Sequence, residues 1–163
     1  LHPPWAHTAY HRQGLFACGR ALLTASVETA SLTASYHDGM PRHAIVLFAH
    51  GARDPEWSRP FKALRDRVSV LAPDSRVELA YLESISPDLA EAVAALADHG
   101  VADITVVPVF LAQGGHLKRD LPGLVEGLRV AHPDISIEVL PAIGEQPAII
   151  EAIAACVARI AAH

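Results

Sequence analysis

Along most of the chain, short continuous runs of hydrophobic residues alternate with segments in which hydrophobic residues recur every three or four positions. Short apolar runs at 44–49, 76–82, 104–107 and 135–140 are typical of buried β-strands. After each run, apolar residues recur every three or four positions, which is typical of one face of a helix. Strands that alternate with helices of 10–15 residues indicate βαβ units and a parallel sheet.

Four helices are predicted from these spacings and from helix start signals. The first follows Asp54-Pro55, an N-cap with proline at the first helical position. The second begins at Ser86-Pro87, the third spans about 120–130, and the last begins at Pro147. Their inward-facing residues are predicted to be Trp57, Phe61, Leu64 and Val68; Leu89, Val93 and Leu96; Leu121, Leu124 and Leu128; and Ile150, Ile153, Val157 and Ile160.

These elements predict one α/β domain over residues 40–163. The expected architecture is a three-layer, doubly wound sheet of four parallel strands, flavodoxin-like, with strand order 2-1-3-4. Residues 1–39 show no sustained period, and the only methionine of the chain, Met40, lies just ahead of the first strand. We therefore expect 1–39 to be an upstream extension that is disordered or partly ordered. A functional arm or a metal-handling tail is the alternative.

Composition narrows the classes of protein further. A chain of 163 residues is long enough for one domain with a sizeable core. Its formal charge of −5 disfavours binding to nucleic acids or anionic membranes, and no apolar run approaches the length of a membrane span. Two cysteines exclude a disulfide scaffold and a cysteine-rich zinc site. We expect a cytoplasmic protein with no nucleic-acid or membrane partner.

Histidine is the unusual feature of the composition, because the chain has ten of them and imidazole both binds metals and transfers protons near neutral pH. His50 comes directly after the first strand, Glu83 after the second, and His116 in the loop after the third. Open parallel sheets bind ligands at the carboxyl ends of the strands, beside the point where the strand order reverses. Two imidazoles and a carboxylate at that edge are able to bind a divalent first-row metal or to accept protons. We therefore predict that these three residues form a catalytic and metal-binding site.

Each member of this site also has an ordinary structural interpretation. His50 alone could be a strand-end histidine bonded to a backbone carbonyl, and Glu83 alone could be a solvated loop carboxylate. His116 is harder to explain in that way, because Gly114-Gly115 before it allow the backbone to approach a ligand closely.

Three cations accompany the site in an otherwise acidic domain. Lys118 and Arg119 lie at the predicted start of the third helix, and Arg53 lies on the neighbouring loop. Such groups at a helix N-terminus are suited to ligand carboxylates. The alternative is that they pair with Asp120 or Asp54.

Three segments of the chain resemble the CbiX-type sirohydrochlorin chelatases, which are class II chelatases and need no ATP. These segments are His50-Gly51-Ala52-Arg53-Asp54-Pro55, the ELAYLE run that ends at Glu83, and Gly114-Gly115-His116-Leu117-Lys118-Arg119-Asp120-Leu121-Pro122. The resemblance covers about residues 44–160, and its third segment is the most specific. The sequence departs from the family pattern at Ala52, where serine or threonine is usual.

The resemblance implies insertion of a divalent metal into sirohydrochlorin, in cobalamin or siroheme biosynthesis. Cobalt is the metal expected from the resemblance, with iron and nickel as alternatives (Co²⁺, Fe²⁺ or Ni²⁺). Because the metal is a substrate of the reaction, no tightly bound cofactor is expected. His50, His116 and Glu83 would be the catalytic and metal-binding residues. The residues expected to bind the tetrapyrrole are Arg53, Gly114, Gly115, Lys118 and Arg119.

The size of the chain bears on its assembly. Long members of the family contain two such domains, whereas this sequence has one copy and resembles the half-size forms. A single four-stranded domain offers a wide macrocycle only one wall of a cleft, so we expect a two-fold homodimer with the site between subunits. The alternative function is a binding module that carries a metal or a tetrapyrrole without accelerating insertion.

Overall fold

The computed structural model describes residues 41–112 and 114–162, with the exception of the side chain of His116. The predicted extension over 1–39 lies outside these residues. The strands are β1 (His43–Ala49), β2 (Ser75–Tyr81), β3 (Asp103–Pro108) and β4 (Ser136–Val139), and the helices are α1 (Arg59–Leu71), α2 (Leu89–Asp98), α3 (Gly115–Ala131) and α4 (Pro147–Ala161). Short 3₁₀ helices at Pro55–Ser58 and Ile143–Glu145 precede α1 and α4. None of the helices in these ranges is long and apolar enough to cross a membrane.

The four strands form one parallel sheet in the order β2-β1-β3-β4, as predicted. β1 pairs with β2 on one side and with β3 on the other, so the strand order reverses at β1. Right-handed crossovers place the β1-to-β2 connection on one face of the sheet and the next two connections on the other face. The reversal point therefore lies at the carboxyl end of β1, where the sequence has His50.

Apolar residues are buried on both faces of the sheet. On one face, Val46, Phe48 and Val106 pack against residues of α2 and α3. On the other face, Leu47 and Leu79 pack against the 3₁₀ helix at Pro55–Ser58 and against α1. The contacts are made by Trp57 of the 3₁₀ helix and by Phe61, Leu64 and Val68 of α1, which are the four residues predicted to face inward. These two packed layers fix the strand ends on which the site is built.

The start of α2 differs from its prediction. The helix begins at Leu89, because Asp88 and Glu91 form a reciprocal capping box in which each side chain accepts a hydrogen bond from the other residue's backbone N–H, at 2.8 and 2.9 Å. Ser86-Pro87 precedes the helix and does not open it. The inward residues Leu89, Val93 and Leu96 are buried as predicted.

The start of α3 differs more, and with a consequence for the site. The helix begins at Gly115 and not near residue 120, since Gly114 adopts an extended N-cap conformation with φ −65° and ψ 158°. Two glycines lower helix propensity, which favours a loop prediction, but glycine is well tolerated at an N-cap. His116, Lys118 and Arg119 therefore belong to the first turns of α3.

The buried face of α3 is also shifted from its prediction. Leu121 and Leu128 are buried, but Leu124 is 40% exposed, and Leu117 and Val125 complete the buried face. The longer helix brings Leu117, one turn ahead of Leu121, onto the core side.

The environment of α4 departs furthest from expectation. The helix starts at Pro147 as predicted, but no residue in it is buried. Its predicted inward residues Ile150, Ile153, Val157 and Ile160 are 49%, 39%, 58% and 72% exposed. The main packing partner of α4 is the 3₁₀ helix just before it. The prediction that this face packs on the core of its own chain is therefore wrong.

Candidate functional site

His50 stands at the carboxyl end of β1 and is exposed. Its imidazole packs on the ring of Phe110 in a T-shaped contact, with centroids 4.6 Å apart and planes at 64°. Phe110 itself is buried and packs on Phe48 of β1. The His50 ring forms no hydrogen bond with a backbone carbonyl of the described chain, so the ordinary interpretation of a capped strand-end histidine does not apply within that part. One side of the imidazole thus rests on a buried aromatic ring at the rim of the sheet.

Glu83 lies beside His50, because the pairing of β1 with β2 continues past both strands. The Leu82 N–H donates to the Ala49 carbonyl at 2.8 Å, and the Glu83 N–H donates to the His50 carbonyl at 2.9 Å. The carboxylate of Glu83 is exposed. The structure therefore places an imidazole and a carboxylate on neighbouring strand ends, as predicted from their positions after β1 and β2.

Gly51 makes this close approach of the two strand ends possible. Its φ is +89°, a region that L-residues with side chains avoid, and an added Cβ would lie 1.9 Å from the Glu83 carbonyl oxygen. The backbone thus requires glycine at position 51, because any larger residue would push the Glu83 segment away from His50.

Gly144 performs a similar role on the other side of the rim. A Cβ there would lie 2.3 Å from the Cα of Leu111, and the Gly144 N–H donates to the Phe110 carbonyl at 2.9 Å. This contact holds the segment after β4 against the segment after β3 and so fixes Phe110 beneath His50. Sequence reasoning did not identify Phe110 or the packing of Gly144. The signal that could have found Phe110 is an aromatic residue two positions past β3, at the same sheet edge as His50.

The first turn of α3 approaches the same edge. Its N-cap is Gly114, and the Lys118 N–H donates to the Gly114 carbonyl at 3.1 Å, which closes the first turn. The side chain of His116 lies outside the described residues, so its convergence with His50 and Glu83 stays a prediction. Among the side chains that are described, no three from His, Cys, Asp and Glu are grouped closely enough to hold a metal.

Arg53, Lys118 and Arg119 are all exposed. The ion pairs between described residues involve other side chains. Asp54, one of the two predicted structural partners of these cations, instead accepts a hydrogen bond from the Glu56 N–H at 2.9 Å and caps the 3₁₀ helix. The alternative that these cations are tied up by neighbouring carboxylates is not supported in the described chain.

The rim also carries exposed apolar side chains. Leu82 follows β2, Leu111 follows β3, and Leu124 lies on α3, and each is at least 39% exposed. A small cavity of about 120 Å³ lies between Leu82, Leu124 and neighbouring residues of α3. A surface that carries both apolar side chains and exposed cations suits a ligand that has apolar as well as acidic groups.

The fold and the rim together define a class of protein: a small doubly wound α/β domain with a histidine and a carboxylate at the reversal point of its sheet. A CbiX family model matches residues 44–160, which is most of the chain. The chain belongs to the CbiX family.

Relatives with curated names are similar over part of their length. A sirohydrochlorin cobaltochelatase of Methanopyrus kandleri is 39% identical over 82 residues, which cover 50% of this chain and 57% of the relative. A sirohydrochlorin cobaltochelatase of Methanosarcina acetivorans is 35% identical over 81 residues, which cover 50% of this chain and 62% of the relative. The matched segment thus spans somewhat more than half of each of these two relatives.

Two solved structures show the same fold. One is assigned to cobalamin (vitamin B12) biosynthesis as a CbiX protein of Marinobacter aquaeolei VT8; it is 34% identical, with a TM-score of 0.64, over 72% of this chain and 95% of that one. The other is the sirohydrochlorin chelatase SirB of Bacillus subtilis subspecies spizizenii in complex with cobalt. It is 24% identical, with a TM-score of 0.64, over 72% of this chain and 50% of that one. At this identity the second likeness concerns the fold alone.

Proposed function

We propose that this protein inserts a divalent metal, Co²⁺ first, into sirohydrochlorin. The observation that carries the proposal is the exposed His50 imidazole, which rests on buried Phe110 beside Glu83 at the reversal point of a CbiX-family sheet. The names of the curated relatives point to the same reaction and to cobalt. Fe²⁺ and Ni²⁺ are the alternative metal substrates, because a site of imidazole and carboxylate ligands binds several first-row ions.

The proposed chemistry is an exchange of two protons for one metal ion. The tetrapyrrole loses two pyrrole N–H protons while the metal approaches one face of the ring, and the products are the metal complex and two protons. A neutral imidazole is able to hold the metal weakly and to accept a proton once the metal has left it. We assign this role to His50 and His116, with Glu83 as a second acceptor of charge beside His50.

The surroundings of His50 suit this task. The contact with Phe110 restricts the motion of the imidazole, because a ring packed on a buried aromatic side chain loses rotational freedom. Few protein ligands at an open rim allow the metal to leave, whereas a closed tetrahedral site would retain it. An exposed position at the rim is therefore consistent with a metal that is substrate and not a resident cofactor.

Substrate binding is assigned to two sets of groups. The exposed cations Arg53, Lys118 and Arg119 are proposed to bind the carboxylates of sirohydrochlorin. Gly114 and Gly115 allow the macrocycle to approach the start of α3, because an added Cβ at these positions would occupy space that none of the described side chains fills. The exposed leucines of the rim provide an apolar surface for the ring.

We further propose that the protein acts as a two-fold homodimer in the cytoplasm. His50 and Glu83 are exposed at the rim, and a cavity of about 610 Å³ lies elsewhere, between α3 and β4, so one copy presents the rim as an open surface. A wide macrocycle requires a second wall, which a second copy would supply.

The direct test is the rate of metal insertion with and without the protein. Sirohydrochlorin is mixed anaerobically with Co²⁺, Fe²⁺ or Ni²⁺, and the visible spectrum of the tetrapyrrole is followed. We expect the protein to accelerate insertion, most strongly for Co²⁺. A spectral shift on binding without acceleration would support a carrier of metal or tetrapyrrole instead, and the absence of both effects would contradict the proposal.

A further inference from the structure

The first turns of α3 carry opposite charges on the two sides of the helix. Lys118 lines the cavity of about 610 Å³ that lies toward β4. Asp120 lines the cavity of about 120 Å³ that lies toward Leu82, the residue after β2. Two positions along a helix correspond to a rotation of about 200°, so these side chains flank the buried side of α3 that contains Leu117 and Leu121. Near the rim, α3 thus presents a cation toward β4 and a carboxylate toward β2.

The acidic side of α3 borders an apolar cleft that opens at the rim. A second cavity, of about 180 Å³, adjoins the cavity of about 120 Å³, because Leu82 and Leu124 line both of them. We call the two cavities together the Leu82–Leu124 cleft. These two leucines are 39% and 40% exposed, so the cleft is open to solvent. Its other lining residues are apolar or aromatic, apart from Asp88 and Asp120.

The cleft is continuous with the candidate site. The Leu82 N–H donates to the Ala49 carbonyl at 2.8 Å, and the Glu83 N–H donates to the His50 carbonyl at 2.9 Å. Leu82 therefore lies directly before Glu83 and beside the strand end that carries His50. Phe48, two residues ahead of His50 on β1, also lines the cleft. A macrocycle placed over His50 is much wider than one side chain, so its edge reaches the mouth of the cleft.

The groups that line the cleft favour an apolar occupant over an acidic one. Asp88 lines one of its cavities and Asp120 the other, and no lysine, arginine or histidine among the described side chains lines either. A ligand carboxylate in the cleft would lose water, would meet no cation there and would face like charges. A methyl group would instead bury apolar surface against the leucine side chains.

We propose that the Leu82–Leu124 cleft binds a C-methyl group at the edge of the tetrapyrrole, and that Leu124 and Asp120 determine specificity for the C-methylated ring. The inference rests on the proposed function and names which part of the substrate meets which side of α3. Sirohydrochlorin carries its methyl groups on tetrahedral ring carbons, where the methyl and the acetate point to opposite faces of the ring. The methyl group therefore enters the cleft while its neighbouring acetate points away from Asp120. Carboxylates elsewhere on the ring edge meet Lys118.

The assignment implies discrimination between tetrapyrroles of equal charge. Uroporphyrin III has the same set of carboxylates as sirohydrochlorin but lacks the C-methyl groups. It is attracted equally by the cations of the rim, but it leaves the cleft unfilled. One apolar carbon in such a pocket changes affinity by about 10–200-fold. Asp120 adds a repulsive element against any ring that turns a carboxylate toward the cleft.

The first experiment compares the two tetrapyrroles as ligands of the full chain, without metal. Dissociation constants are measured from the quenching of tryptophan emission by the bound tetrapyrrole. We expect the wild type to bind sirohydrochlorin about 10-fold or more tightly than uroporphyrin III. Equal affinities would overturn the proposal.

The second experiment changes the charge beside the cleft. Asp120→Lys replaces a repelling carboxylate by a cation, so it should tighten the binding of uroporphyrin III and bring the ratio of the two affinities close to one. Glu126→Lys is the matched control, because it makes the same change of charge on the β4 side of α3 and should leave the ratio at its wild-type value. An unchanged ratio in Asp120→Lys, or the same fall in both variants, would overturn the proposal.

The third experiment changes the polarity of the cleft. Leu124→Asn keeps a side chain of similar length but replaces its methyl groups by an amide, so it should weaken the binding of sirohydrochlorin and lower the ratio. Leu111→Asn is the control, since Leu111 is an exposed leucine of the rim that does not line the cleft. An equal fall of the ratio in both would overturn the proposal. If circular dichroism shows that Leu124→Asn does not fold, Asp120→Lys, at an exposed position, decides.

The outcomes separate this inference from the proposed activity. If the wild type shows the expected preference for sirohydrochlorin but does not accelerate Co²⁺ insertion, the cleft assignment stands and the chelatase proposal falls. If it accelerates insertion but binds both tetrapyrroles equally, the chelatase proposal stands and the cleft assignment falls.

Discussion

α3 and α4 are helices of similar length, 17 and 15 residues, and both have a clear apolar side. α3 buries Leu117, Leu121, Val125 and Leu128 against the sheet, whereas α4 buries none of its residues. The periodicity of a helix therefore identifies its apolar side but not the surface that covers it. For α3 that surface is the sheet of the same chain, whereas the described residues offer no such surface to α4.

The difference in packing between α3 and α4 matters for the candidate site, because only α3 carries site residues. α3 is anchored to the sheet along its length, so its first turn holds Gly115 and His116 at a fixed place relative to β1. A site on such a supported element keeps its geometry better than one on an isolated segment. Substitutions in the packed sheet and its helices, compared with matched substitutions at exposed positions such as those of α4, test this contrast.

The largest loss of folding stability is expected when a buried side chain of α3 is shortened. Leu128→Ala should lower the free energy of unfolding by about 2–5 kcal/mol, because it removes buried side-chain volume and leaves a cavity. Ile160→Ala in α4 is the matched change and should cost less than about 1 kcal/mol in dilute protein, since Ile160 is exposed in one chain. Urea unfolding at low protein concentration compares the two. Equal losses would show that α4 is packed on its own chain.

A somewhat smaller loss of folding stability is expected for a substitution at Gly51, at the rim of the sheet. Gly51→Ala should cost roughly 2–4 kcal/mol, because the new Cβ meets the Glu83 carbonyl oxygen and the positive φ is strained. Gly100→Ala is the control, since Gly100 has φ +74° but no heavy atom of the described residues lies within 4 Å of the added Cβ. It should cost about 1 kcal/mol, from strain alone. Similar losses in both would argue against close packing of the His50 and Glu83 segments.

Helix capping gives a third contrast. Asp88→Ala removes the capping box of α2 and should cost about 1 kcal/mol of unfolding free energy. Gln146→Ala at the N-cap of α4 should cost close to nothing, because the Gln146 side chain makes no capping hydrogen bond. Thermal unfolding of both variants provides the comparison, and a loss at Gln146 as large as that at Asp88 would contradict it.

The smallest expected effect on folding stability comes from Tyr81 and is seen only at alkaline pH. Burial raises the pKa of the Tyr81 phenol above its ordinary value of 10.0, and the Arg65 guanidinium opposes part of this rise. The folded state therefore favours the neutral phenol, so stability is full below pH 10 and is lost as the pH rises through the raised pKa. Tyr81→Phe should reduce this alkaline loss. Urea midpoints of wild type and variant between pH 8 and 11 should diverge above pH 10, and parallel curves would contradict the assignment.

Much of the architecture could be predicted from the sequence, because each strand and helix carries its own pattern. The parallel sheet, its order and the helix faces of α1 and α2 follow from local periodicity and from the handedness of crossovers. The start of α3 was predicted five residues late, because a glycine pair has the composition of a loop although Gly114 serves as an N-cap here. The surface that packs against α4 could not be predicted, because the pattern within a helix identifies its apolar side and carries no information about its packing partner.

The candidate site was predictable to the extent that it depends on topology. His50 and Glu83 lie on neighbouring strand ends because they follow strands that pair in register. Phe110 was not identified, because its contact with His50 depends on how the segment after β3 is held by Gly144. Such contacts come from tertiary packing, which leaves no periodic signal in the chain.

The most direct test of the account is the initial rate of Co²⁺ insertion into sirohydrochlorin by His50→Ala, compared with His99→Ala at the same protein concentration. His99 is an exposed histidine at the end of α2, and its Nδ1 bonds the Ala95 carbonyl, so its loss leaves the rim intact. We predict that His99→Ala keeps the wild-type rate. His50→Ala should lose on the order of 10²-fold or more, the size of effect expected for a group that transfers protons in the reaction. A His50→Ala protein that inserts cobalt as fast as the wild type would contradict the placement of the catalytic site at the carboxyl end of β1.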